Sequence, residues 1–212
     1  TNIAINNATL ALTDSITTNR TMSVSNNVVI DIANFNSSLE GIIGGSGTLK
    51  KVGTGTLSLQ GANTFNGILD VQEGRIAINN TNSFGANGSH VKLANNTHLE
   101  TTAAITAQQS ILVAGDVTVN TSGNNSSFVG VISGSGNIHK TNTGGLALDG
   151  TNTFIGNLDV QAGSIAISKA ESLGADGNSV ILANGTSLET TANVIAKQNI
   201  VTNTNVSVNT NN

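Results

Sequence analysis

Few residues in this chain could do acid–base or nucleophilic chemistry, and they are thinly spread. Asp70 and Asp159 share the context LDV, and Glu100 and Glu189 share LETT; the members of each pair lie 89 positions apart. Two carboxylates could cleave a glycosidic bond as acid and base, but only when about 5 to 9.5 Å separates them. Glu73 near Asp70 offers a closer pair, yet its counterpart is Ala162, so the pattern reads as a solvated corner. His90, His98 and His139 correspond to Ser179, Ser187 and Lys50, so none recurs as a general base or metal ligand would. No serine sits in G-x-S-x-G after an apolar strand. GGSGTLKK lacks the G-K-[ST] ending of a phosphate loop, and the calcium-binding G-G-x-G-x-D repeat is missing. The N-x-[ST] sites at Asn87, Asn95 and Asn184 follow from an abundance of Asn and Thr. The expectation is a protein that is not an enzyme, with no catalytic, cofactor-binding or metal site.

Composition says what must position such residues. Charged residues are 9% and aromatics 2% of 212 residues, with no Pro, Cys, Trp or Tyr and 24 Gly. Hydrophobics are 37% and alternate with Thr, Ser and Asn. That alternation is strand chemistry, punctuated by Gly and Asn turns. A net charge of −4 offers no basic footprint, which excludes nucleic acid as the expected partner. No apolar run reaches the ~20 residues of a membrane-spanning helix. No signal peptide is visible and the chain opens on the strand-like IAINNATLAL, so the reading is a piece of something longer.

The chain repeats itself. Gly61, Phe65, Asp70 and Gly74 recur 89 positions later as Gly150, Phe154, Asp159 and Gly163, and LANNTHLETTA recurs as LANGTSLETTA without an insertion. The expected organisation of residues 1–212 is a partial copy at 1–37, a copy at 38–126 and another at 127–212. Each copy consists of short alternating strands such as TLKKV, TLSLQ, ILDVQ and RIAIN. The only hint of helix is weak, over TAAITAQQSIL. Indel-free repetition favours a solenoid over a closed barrel, whose shear fixes its strand number.

The expected fold is all-β, a right-handed parallel β-helix of roughly nine rungs with coils of about 20 to 25 residues. Leu57, Leu59, Leu69, Val71, Ile76 and Ile78 would form inner ladders, continued by Leu146, Leu148, Leu158, Val160, Ile165 and Ile167. Stacked like charges repel, which explains the scarcity of charge. Four rungs would separate the repeated carboxylates by on the order of 19 Å.

Gly44 to Ile78, GGSGTLKKVGTGTLSLQGANTFNGILDVQEGRIAI, resembles the passenger-associated transport repeat of bacterial autotransporters. The match runs through Gly45, Gly47, Leu49, Lys51, Gly53, Gly55, Leu57, Leu59, Gly61, Asn63, Thr64, Phe65 and Gly67. A second match runs through Gly134, Gly136, Ile138, Lys140, Gly145, Leu146, Leu148, Gly150, Asn152, Thr153, Phe154 and Gly156. It departs at Asn142, which stands where the first copy has Gly53.

The resemblance implies a non-catalytic passenger segment, secreted or displayed on the outer-membrane surface of a Gram-negative bacterium. It implies adhesion or self-association, in virulence-related settings, through a host cell surface, a matrix component or a second copy. A translocator barrel in the parent protein would be a transient partner. A released effector engaging a host receptor, and a carbohydrate-active β-helix enzyme, are the alternatives; fold does not decide among them. Positions that differ between copies (Lys50/His139, Arg75/Ser164, Asn80/Lys169, Asn82/Glu171) should face outward. They read either as drift on solvated positions or as an extended recognition surface.

Overall fold

Alternation with short Gly- and Asn-rich breaks gives strands of two to ten residues, and the chain winds them into three parallel sheets. The structure is a computed structural model that describes residues 2–210. The first sheet holds eight strands, from Ile3–Ala11 to Ile132–Gly134. The second holds ten, from Thr17–Thr18 to Asn199–Thr202, and the third holds six, from Thr106–Ala107 to Ser207–Thr210. Pairing is parallel between successive turns. The protein is a parallel β-solenoid.

Inward residues are apolar and buried, as Leu57, Leu59, Ile76 and Ile78 are on successive rungs of the second sheet. Each buried Leu or Ile contributes about 1.5–3 kcal/mol by leaving water. The weakly helical phrase around Ala104 to Leu112 forms strands Thr106–Ala107 and Ser110–Ala114 instead. Ile105, Ala107 and Ile111 point inward there, so core burial overrides the local helical tendency. Among the described residues the one helical element is the single turn Ala170–Leu173.

The rung count is about ten rather than nine, since the second sheet receives one strand per turn. Leu49, Leu69, Val91, Ile111 and Ile132 stack in one column, in steps of 20, 22, 20 and 21 residues. Coils therefore sit at the short end of the expected range.

The same column corrects a second expectation. Four rungs consume 83 residues, from Leu49 to Ile132, whereas the sequence repeats every 89. The surplus of six residues carries most repeated strands onto the next sheet, although Ile43–Gly45 and Ile132–Gly134 both belong to the first. Thr56–Leu59 and Arg75–Ile78 lie in the second sheet, but their counterparts Gly145–Leu148 and Ser164–Ile167 lie in the third. Ile68–Val71 lies in the first sheet and Leu158–Val160 in the second. The second copy thus does not continue the first copy's ladders; it is turned by one face around the axis. Asp70 and Asp159 accordingly sit on different sheets, as do Glu100 and Glu189.

Candidate functional site

The residues shared by both copies meet at the joints between rungs. Asn63 is 2% exposed and joins three rungs with one amide: its Oδ1 accepts from the Ile43 N–H at 2.8 Å, and its Nδ2 donates to the Ser83 carbonyl at 2.7 Å. Asn152 repeats this between Ile132 and Ser172 at 2.8 and 2.7 Å. Thr64 and Thr153 face solvent, and their N–H groups donate to the carbonyls of Ile43 and Ile132. Phe65 and Phe154 are fully buried, and their carbonyls accept from Ala86 and Ala175 on the next rung. The Asn-Thr-Phe phrase is a bracket that satisfies a corner's backbone, which burial would otherwise leave unpaired.

The glycines of the repeat let rungs touch. Gly45 and Gly134 take φ of 108° and 107°, and a Cβ at either would run into the carbonyl oxygen of Val24 or Val113. Gly47, Gly55, Gly61, Gly67, Gly136, Gly150 and Gly156 likewise abut the backbone of the preceding rung. In the second copy the counterpart of Gly55 is Gly144, pressed on Asn124; Gly145 occupies the place of Thr56 and faces outward. Asn142 keeps the turn that Gly53 makes, with φ of 66° against 87°. Leu49, Leu57, Leu59, Leu146 and Leu148 are core residues at 0–1% exposure.

Four joint residues of two kinds escape a reading by residue type. Lys51 and Lys140 are fully buried in inward columns, Lys51 between Ile30 and Val71 and Lys140 between Val119 and Val160. Lys51 Nζ donates to the carbonyls of Gly53 and Glu73, both at 2.7 Å. Lys140 Nζ donates to Thr141, Asn142 and Ala162 at 3.0, 2.7 and 3.0 Å. Burial pushes both ammonium groups from the ordinary 10.5 to about 8, against an upward pull at Lys51 from Glu73 and Asp31. Gln109 and Gln198 are the second kind: each Nε2 donates inward, to the carbonyls of Gly85 and Gly174 at 2.8 and 2.9 Å. The signal was in the alternation, since Leu49-Lys50-Lys51 puts Lys51 in phase with the inward leucine.

Several ionisable residues on the faces are tied to one another. Lys50, Asp70 and Lys92 stack on consecutive rungs with alternating sign, and Asp70 also accepts from Gln72. Arg75 Nη1 donates to Glu100 Oε2 at 2.9 Å, and the Ser122 hydroxyl donates to Oε1 at 2.7 Å. Burial works to raise the Glu100 carboxyl, but these two donors prevail and hold it below its ordinary range. Burial and the Arg75 charge lower His98, against Glu100. His139 Nδ1 lies 3.1 Å from Asp159 Oδ2, while His90 contacts the Ser110 hydroxyl. The Glu73 carboxylate accepts from the Gly53 N–H at 3.1 Å. Among the described residues no three His, Cys, Asp or Glu side chains gather where a metal could be held.

The geometry is that of stacked brackets around the apolar core of a parallel β-solenoid. The passenger-associated-transport-repeat family matches this chain at residues 49–78 and 138–167, and the chain carries two copies of that repeat. It is also 30% identical over 137 residues to the Adhesin BmaC autotransporter of Brucella suis biovar 1 (strain 1330). That similarity covers 65% of this chain and 4% of the relative, so the chain spans a small part of that protein's length. No solved structure matches.

Proposed function

We propose that this chain is a non-catalytic stretch of a longer passenger, secreted or displayed on the surface of a Gram-negative bacterium, that acts in adhesion or self-association. One observation carries the reading: the Asn and Lys that join rung to rung are kept in both copies, and the exchanges that gain or lose a charge fall at outward positions. Lys50/His139, Arg75/Ser164 and Asn82/Glu171 change identity while Asn63/Asn152 and Lys51/Lys140 keep theirs. A rigid stack with free outer faces suits contact over an extended surface. Stacked Thr, Ser and Asn would supply many weak hydrogen bonds whose avidity sums along the rod. The adhesin named among the similar proteins supports the same reading.

The partner is a host cell surface, a matrix component or a second copy, and the translocator barrel belongs to the parent protein. Immobilised chain, offered epithelial cells, matrix proteins and soluble chain in turn, should retain at least one of the three. Retention of none would sink the proposal.

A further inference from the structure

The two copies differ on one outward stretch in a way that empties a socket. In the first copy Thr56, Arg75 and His98 stack in one outward column, and Ser58, Ala77 and Glu100 in the next. Arg75 reaches across the two columns to Glu100. At the equivalent place on the third sheet the columns read Gly145, Ser164, Ser187 and Ala147, Ala166, Glu189. The register and the carboxylate are kept. The guanidinium, the imidazole and the threonine side chain are gone.

In their place lies a depression of about 260 Å³ floored by Gly145, Ala147, Ser164 and Ala166. Asn125 bounds it on the rung before and Glu189 on the rung after. Glu189 is half-buried, and among the described residues its one side-chain partner is the Ser187 hydroxyl, which donates to Oε1 at 3.2 Å. Among the described residues it has no ion pair, whereas Glu100 has Arg75.

We propose that this depression receives an arginine side chain of a partner protein, whose guanidinium donates to Glu189 as Arg75 donates to Glu100. A planar guanidinium can lie on a floor of Gly, Ala and Ser and offer the carboxylate a fork of donors; a compact, strongly hydrated ammonium suits the shape less. A lone carboxylate is too few ligands for calcium, which takes six to eight oxygens. The inference names a contact chemistry for the adhesive face and rests on that reading only for who presents the arginine.

The test is amide-resolved NMR of the whole chain titrated with Nα-acetyl-arginine amide, with Nα-acetyl-lysine amide as comparator. Shifts should saturate at Gly145, Ser164, Ala166 and Glu189, with arginine the tighter ligand. Glu189→Gln should weaken binding about tenfold, the loss expected of a charge-assisted hydrogen bond. Ser164→Arg, which rebuilds the pair of the first copy, should abolish it while the strand spectrum stays intact. Shifts that do not saturate, that lie elsewhere, or that survive Glu189→Gln overturn the proposal, as does equal binding of lysine. Arg20 is exposed and, among the described residues, makes no ion pair; if the same amides shift as the chain itself is concentrated, and Arg20→Gln stops this, the occupant is a second copy and the foreign partner is overturned. A fragment that binds cells with a silent slot sinks the slot alone; a slot that binds arginine in a fragment that retains nothing sinks the adhesive reading alone.

Discussion

Lys51 and Lys140 stand 89 positions apart, on different sheets, and do the same thing: each points a fully buried ammonium at the carbonyls of the corner that follows it. The carbonyl cluster explains why a cation is tolerated inside an apolar column. Desolvation still leaves a mark on its proton affinity.

That mark fixes the pH dependence of stability. Below about pH 8 both lysines are protonated whether the chain is folded or not. Between about 8 and 10.5 the unfolded chain holds protons that the folded chain has released, so stability rises with pH in that window. Each lysine contributes roughly 1.4 kcal/mol per pH unit there. The chain has no Cys or Tyr side chain to titrate beside them. Urea unfolding at pH 7.5 and 10 should show the gain, and Lys51→Met should remove about half of it.

The bracket residues should dominate stability. Asn63→Ala leaves the Ile43 N–H and the Ser83 carbonyl without their partner. A cost of about 2–4 kcal/mol follows from two buried groups left unsatisfied. Thr153→Ala, at an exposed side chain, should stay within about 0.5 kcal/mol. Equilibrium urea denaturation distinguishes the two.

Close rung contact makes Gly134 intolerant of a methyl group. Gly134→Ala combines a positive φ with a collision against the Val113 carbonyl. It should cost at least about 2 kcal/mol, or abolish folding. Gly177→Ala meets nothing within 4 Å and should leave the melting temperature unchanged.

Arg75 and Ser122 should be what keeps the Glu100 carboxyl low. Arg75→Gln should raise its midpoint in a carboxyl-resolved NMR titration, because burial then acts with less opposition. Ser122→Ala should raise it too. An unmoved midpoint in both variants would contradict the account of this site.

Much of this architecture was legible in the sequence. Alternation gave the inner columns, fixed glycines gave the close corners, and the repeat gave a solenoid. Rotation of the second copy was not legible, because the sequence shows the period of 89 but not the coil length. Corners absorb one or two residues without changing the strand pattern, as the steps of 20 and 22 in the Leu49 column show. The buried lysines were hidden by their chemistry: phase placed Lys51 inward, while charge argued for the outside. Asn63 was visible as a corner, but its reach to both neighbouring rungs depends on coil length and so emerged only in three dimensions. Likewise the socket beside Glu189 needs the register of three rungs at once.

The coil register is the central claim, and paired spin labels on a chain free of cysteine can measure it directly. Ser58 stacks through Ala77, Glu100 and Asn120 to Thr141, four rungs away on the same face. Ala147, its counterpart in the repeat, lies on the next sheet. Labels at Ser58 and Thr141 should report a backbone separation of about 19 Å, four strand spacings. Labels at Ser58 and Ala147 should lie farther apart, because they leave the rod from different faces. The reverse order would place the copies in line and contradict the winding described here.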